Sequence, residues 1–215
     1  DVLPDDAHPR LTYMSGPSFA LELCRRLPTA VTIAAEDEEV AKRVQGRIST
    51  DYFRAYTTTD VIGVEVGGAL KNVIAIATGM GEGLSAGDNT RSAVIARGLA
   101  ELTRLGEAMG GDPATFAGLA GLGDLLATCM SPLSRNRYVG EQLGKGRTLE
   151  DILEEMHMVA EGVKTAHTTQ VLAREFDVDL PICDSVERVL SGEQTAADTY
   201  AGLLRTQAGH ESEPG

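Results

Sequence analysis

The chain has 215 residues, 42% of them hydrophobic and 24% charged, with 32 acidic and 19 basic side chains and a formal net charge of −13. That length can bury the core of one large domain or two small ones, and the composition excludes disordered and fibrous classes. The acidic balance argues against nucleic acid or anionic membrane as a partner, because phosphate polyanions would be repelled.

No run approaches the roughly 18–20 apolar residues of a membrane span, and no signal peptide is visible. Cys24, Cys129 and Cys183 are far apart and odd in number. That excludes a disulfide scaffold and a CxxC metal site, and it fits a reducing cytoplasm. His8, His157, His167 and His210 show no metal-ligand spacing, so no metal site is expected. The chain opens Asp1-Val2-Leu3-Pro4 and reads as the later part of a longer protein.

Residues 1–15 give no clear element. Ser15-Gly16-Pro17-Ser18 is a turn cluster leading into a helical Phe19–Leu23, with Ser18 as N-cap and Leu21 as first core residue. Thr29–Ala35 is β-branched and short, a buried strand. Glu36–Ile48 places Val40, Val44 and Ile48 on one helical face. Phe53–Thr59 alternates as a second strand, which makes residues 29–59 a βαβ-like fragment. Asp60–Val66 reads as a third strand or an extended link.

From Gly67 the character changes. Ala69–Thr78 is apolar on nearly all sides, the pattern of a buried helix. Gly79, Gly81, Gly83 and Gly87 predict a loop or broken helix end over Gly79–Asn89. Thr90–Met109 is a helix with Val94, Ile95, Leu99, Leu102 and Leu105 at helical spacing. Asp112-Pro113 starts a short helix over Ala114–Ala117, a glycine-rich stretch covers Gly118–Asp124, and Asp124–Met130 is helical until Ser131-Pro132 breaks it. Leu149–His157, Gly162–Phe176, Ile182–Leu190 and Ala197–Leu204 complete the helices, and the polar segment after Ala208 reads as a disordered tail.

Beside an anion-friendly turn at 15–20 and a turn-plus-carboxylate at 159–163, three groups could carry chemistry. Lys71 stands among Gly, Ala, Leu, Val and Ile; partial desolvation of such an amine favours general acid–base use, although a snorkelling lysine has the same local pattern. Asp124 follows Gly121-Leu122-Gly123, as a helix cap or as a carboxylate that orients a nearby lysine. Ser134-Arg135-Asn136-Arg137 concentrates donors suited to a phosphate, or forms a solvated loop. No GxGxxG follows a strand in residues 1–66.

Taken together, SGPSFALE (15–22), EVGGALKNVIAIATG (65–79), GDNTRSAVIARGLAEL (87–102), AGLGDLLATCMSPLSRNR (120–137) and VAEGVKTA (159–166) resemble the bacterial NAD(P)-dependent glycerol-3-phosphate dehydrogenases. The resemblance implies a mostly α fold: residues 1–66 as the C-terminal remnant of a Rossmann dinucleotide-binding domain, 67–208 as an all-helical substrate domain, and 209–215 as a tail. It implies interconversion of dihydroxyacetone phosphate and sn-glycerol 3-phosphate for glycerophospholipid synthesis in the cytoplasm. Lys71 matches the proton donor. Gly16, Ser18, Asn72, Asp124, Thr128, Ser134, Arg135 and Asn136 match substrate-side positions, the last three at the phosphate. Ala20, Arg135, Val159 and Glu161 match contacts to NAD or NADP. The glycine-rich loop of the family and a further substrate-site lysine fall outside these 215 residues, so the fragment itself is expected to be inactive. Exposed apolar helix faces are compatible with a homodimer. A related lysine-dependent hydroxy-acid dehydrogenase and a non-catalytic helical module are the alternatives; Lys71-Asn72-Val73 and Ser134–Arg137 together favour the triose phosphate.

Overall fold

A computed structural model describes residues 4–156 and 159–203. His157, Leu204 and the proposed tail over 209–215 lie outside the described residues. After a 3-10 turn, Asp5–Arg10, the chain forms a sheet of three strands in the order β1 (Tyr13–Ser15), β2 (Thr29–Ala34), β3 (Phe53–Thr58). β1 runs antiparallel to β2, and β2 parallel to β3 with Val31 opposite Ala55. The parallel pair is joined by α2 (Glu38–Ile48), the expected strand–helix–strand unit. Val31, Ile33 and Ala55 bury one sheet face against Val40 and Ala41 of α2. Asp37 caps that helix by accepting from the Glu39 amide at 2.9 Å.

α1 (Ala20–Cys24) departs from expectation. Its cap position is Phe19, and the Ser18 hydroxyl instead closes its own turn by donating to Gly16 O at 3.0 Å. Leu21 is 47% exposed and belongs to no core. Five residues are too few to turn an apolar face inward against a partner.

The third strand expected over Asp60–Val66 is helix. α3 runs unbroken over Val61–Gly83. Asp60 caps it, accepting from the Gly63 amide at 2.9 Å. The β-branched residues that suggested a strand are tolerated because Val64 and Val66 are buried, and packing overrides propensity. The loop expected from Gly79 begins only at Leu84. The expected domain boundary at residues 66/67 therefore falls inside a continuous helix. α3 also corrects the reading that no stretch is apolar enough to cross a membrane. Windows of 18 residues within α3 and over Pro113–Met130 are both long and apolar enough by composition. In α3, 67% of that window is covered by the rest of the fold, the condition of a core helix.

The helices around α3 are α4 (Gly87–Ala108), α5 (Pro113–Phe116), α6 (Asp124–Met130), α7 (Arg135–Gly144), α8 (Leu149–Glu155), α9 (Glu161–Glu175), α10 (Pro181–Leu190) and α11 (Ala196–Leu203). The glycine-rich stretch before α6 is a π-helical turn, Leu119–Gly123. α7 is a helix where local pattern gave only a donor cluster. Ser134 caps it by accepting from the Arg137 amide at 3.2 Å.

α3 and α7 touch at backbone distance. A Cβ on Gly79 or Gly83 would overlap the carbonyls of Arg137 and Glu141. A Cβ on Gly140 or Gly144 would overlap those of Ile76 and Met80. Glycines that read as helix breakers are thus the small face along which two helices mesh. Glu101 of α4 is 2% exposed and accepts from the first free amides of α10, Ile182 at 2.6 Å and Cys183 at 3.1 Å. Burial pushes the Glu101 carboxyl above its ordinary value, opposed by those two hydrogen bonds. Tyr200 of α11 donates to Ala77 O of α3 at 2.6 Å, and burial raises its hydroxyl to about 12.

Candidate active site

The site is assembled by two close approaches to α3. At the first, a Cβ on Gly67 would stand 2.7 Å from the Ala120 carbonyl, so only glycine lets the π turn come in. Lys71 is one turn beyond Gly67, and Asp124 one turn beyond Ala120. The contact therefore delivers amine and carboxylate to each other, and Lys71 Nζ pairs with Asp124 Oδ2. The Lys71 side chain is 19% exposed and that of Asp124 5%. Two charges so far from water are held only where further donors satisfy the carboxylate. Asp124 has them: Oδ2 accepts from Ser15 Oγ at 3.2 Å and from the Gly16 amide at 3.1 Å, and Oδ1 lies 3.3 Å from Thr128 Oγ1. That hydroxyl also lies 2.6 Å from Asp124 O.

At the second approach, the glycine mesh of α3 and α7 aligns residues at four-residue steps. Ile76 and Gly140 face each other, so Asn72 and Asn136, one turn back on each helix, meet as well. Asn136 Nδ2 donates to Asn72 Oδ1 at 2.9 Å. Asn72 Nδ2 donates to Gly68 O at 3.2 Å, and the Gly162 amide at the start of α9 donates to Asn136 Oδ1 at 2.9 Å. A Cβ on Gly162 would come within 2.7 Å of Asn72 O. Three helices thus converge on one amide relay. Each asparagine keeps one amide hydrogen for another acceptor.

The two guanidinium groups of Ser134–Arg137 diverge. Arg137 is buried, pairs with Glu82 and lies 3.5 Å from Glu141, and donates from Nε to Ser131 O at 3.0 Å. It is a tie between α3 and the turn before α7. Arg135 is exposed, and its guanidinium makes no hydrogen bond or ion pair to another described residue. Ala20, Val159 and Glu161 are exposed, Gly16 is buried, and Ser18 is half-buried. The structure therefore brings Lys71, Asn72, Asp124, Thr128, Asn136 and Gly16 into two adjoining networks. Ser134 sits at the α7 start beside them. Sequence reasoning left unassigned Ser15, the Gly162 amide and the tie made by Arg137. Ser15 stood beside Gly16, Gly162 at the start of α9 and Arg137 in the donor cluster, but no local pattern marked these particular contacts.

The model of the NAD-dependent glycerol-3-phosphate dehydrogenase C-terminus matches residues 60–201, and that of the N-terminus of the same family residues 1–41. The chain belongs to the NAD-dependent glycerol-3-phosphate dehydrogenase family. Among its relatives, the glycerol-3-phosphate dehydrogenase (NAD(P)+) of Syntrophobacter fumaroxidans is 54% identical over 215 residues, 100% of this chain and 63% of that protein. The protein of the same name from Desulfotalea psychrophila is 58% identical over 194 residues, 90% of this chain and 57% of that one. The crystal structure of glycerol-3-phosphate dehydrogenase from Coxiella burnetii superposes with a TM-score of 0.88 at 38% identity, over 91% of this chain and 60% of that one. The chain thus spans about three fifths of the length of these relatives.

Proposed function

We propose that the longer polypeptide carrying these residues is a cytoplasmic glycerol-3-phosphate dehydrogenase that interconverts dihydroxyacetone phosphate and sn-glycerol 3-phosphate. The shielded Lys71–Asp124 pair, beside an amide relay, carries the reading. The residues up to Asp60 read as the last part of the dinucleotide-binding domain, and those from α3 onward as the substrate domain. Such an enzyme supplies the glycerol phosphate used in glycerophospholipid synthesis, and a homodimer fits its exposed apolar helix faces.

The residues present suit one edge of a dinucleotide. Arg135 offers an exposed cation to an anionic group, and Val159 and Glu161 are exposed at the start of α9, whose Gly162 amide joins the relay. When bound, the nicotinamide supplies or accepts the hydride. Ala20, Arg135, Val159 and Glu161 would hold that cofactor, NAD or NADP. The chain's own work is at the carbonyl oxygen. Lys71 Nζ gives it a proton as negative charge develops there, and takes the proton back in the reverse direction. Asp124 keeps the ammonium aimed. Ser134, Arg135 and Asn136 grip the phosphate and fix the reacting carbon. Asn72, Thr128, Gly16 and Ser18 line the rest of the substrate.

The test is turnover by the full-length polypeptide. NAD(P)H oxidation is expected with dihydroxyacetone phosphate and not with an unphosphorylated 2-keto acid, because the latter leaves Arg135 and Asn136 without a partner. The 215-residue chain alone is expected to show none. Equal turnover of the keto acid would overturn the assignment.

A further inference from the structure

The Asp124 oxygen that meets Lys71 is held from outside its own helix. Thr128, one turn along α6, lies 3.3 Å from Oδ1 and closer to the Asp124 backbone oxygen, at 2.6 Å. The oxygen that meets Lys71 is Oδ2, and its other two donors both come from the end of β1, the Ser15 hydroxyl at 3.2 Å and the Gly16 amide at 3.1 Å. Ser15 also rests on α3. A Cβ on Gly68 would stand 3.1 Å from Ser15 Oγ, and Gly68 is three residues before Lys71 on that helix. The Ser15 hydroxyl therefore lies close to the helix that carries the amine and bonds the carboxylate that receives it.

We propose that Ser15 is a positioning residue for the proton transfer. Its O–H donates to Oδ2, turns the Asp124 carboxylate toward Lys71, and so holds Nζ at the angle from which it protonates the substrate oxygen. The Gly16 amide does half of this and cannot be removed by a side-chain change, so Ser15 is the adjustable half. The role rests on the reaction proposed above. It adds to it a residue that need not touch substrate or cofactor.

The experiment compares full-length wild type, Ser15→Ala and Ser15→Thr, with dihydroxyacetone phosphate and NADPH. Loss of one hydrogen bond to a charged group predicts a fall in kcat of about tenfold for Ser15→Ala. KM for the ketone is expected to change by less than about twofold, because the bond acts on the amine and not on substrate binding. Ser15→Thr, which keeps the hydroxyl, is expected to recover most of kcat, and both variants to melt within a few degrees of wild type. An unchanged kcat in Ser15→Ala would overturn the proposal. So would parallel losses in kcat, KM and melting temperature that Ser15→Thr fails to restore, since that is a purely structural role. A wild type without turnover would overturn the reaction itself, and Ser15's part with it.

Discussion

Replacing Lys71 with methionine is expected to remove about 10²–10⁴ of kcat from the full-length enzyme, the range that a positioned proton donor contributes. Methionine has nearly the same length and suits the apolar surroundings of α3, so the fold should survive. KM for the ketone should move little, because the proposed phosphate grip belongs to α7. The Asp124 carboxylate would lose its countercharge but keep the donors at Ser15 and Gly16. A variant lacking only charge therefore isolates the proton step. Steady-state kcat and KM, read beside a thermal melt, check the separation.

The second large effect is expected from Gly140→Ala. The added methyl meets the Ile76 carbonyl and the backbone of α3, which cannot yield as a side chain can. The helices must part, at a cost of about 3 kcal/mol or more, the upper end for overpacking. For a chain of this size that lowers the melting temperature by roughly 6–12 °C. The movement also draws Asn136 from Asn72, one turn away, so KM for the phosphorylated substrate should rise in whatever fraction stays folded. Gly46→Ala is the control. Gly46 is exposed within α2 with nothing near its missing Cβ, so alanine there should be neutral or stabilise by about 0.5–1 kcal/mol. A melting temperature for Gly140→Ala equal to that of the control would show that the helices do not mesh as described.

These two sites mark what a reader of the sequence can and cannot see. The β2–α2–β3 unit was legible because its signals are local: a β-branched run, a period of four in Val40, Val44 and Ile48, and alternation in the second strand. α6 was legible between a glycine turn and Ser131-Pro132. The long reach of α3 was not. Val61–Val66 carries strand-like residues, and Gly79, Gly81 and Gly83 carry loop-like ones, at the two ends of one helix. Both ends are decided by partners distant in sequence, the Asp60 cap with buried Val64 at one end and the α7 backbone at the other. α7 was missed for the same reason, since Gly140 and Gly144 argue against a helix until its neighbour is known.

The candidate site divides in the same way. Lys71 among apolar residues and Asp124 after its glycines could be singled out, but each had a bland local reading. What joins them is the Gly67–Ala120 contact between segments more than fifty residues apart, which no local pattern encodes. Ser134–Arg137 was visible as a donor cluster. That one arginine faces solvent while the other ties Glu82 to Ser131 follows only from the helical phase of α7.

Chemical rescue of Lys71→Ala tests the central claim most directly. Alanine leaves room beside Asp124 for a small primary amine. Turnover of dihydroxyacetone phosphate by this variant is predicted to be low, and to rise with added methylamine or ethylamine until it saturates, as a diffusible ammonium takes the place of Nζ. Near-wild-type turnover without any amine would contradict the account. So would a folded variant that binds the substrate normally and gains nothing from either amine.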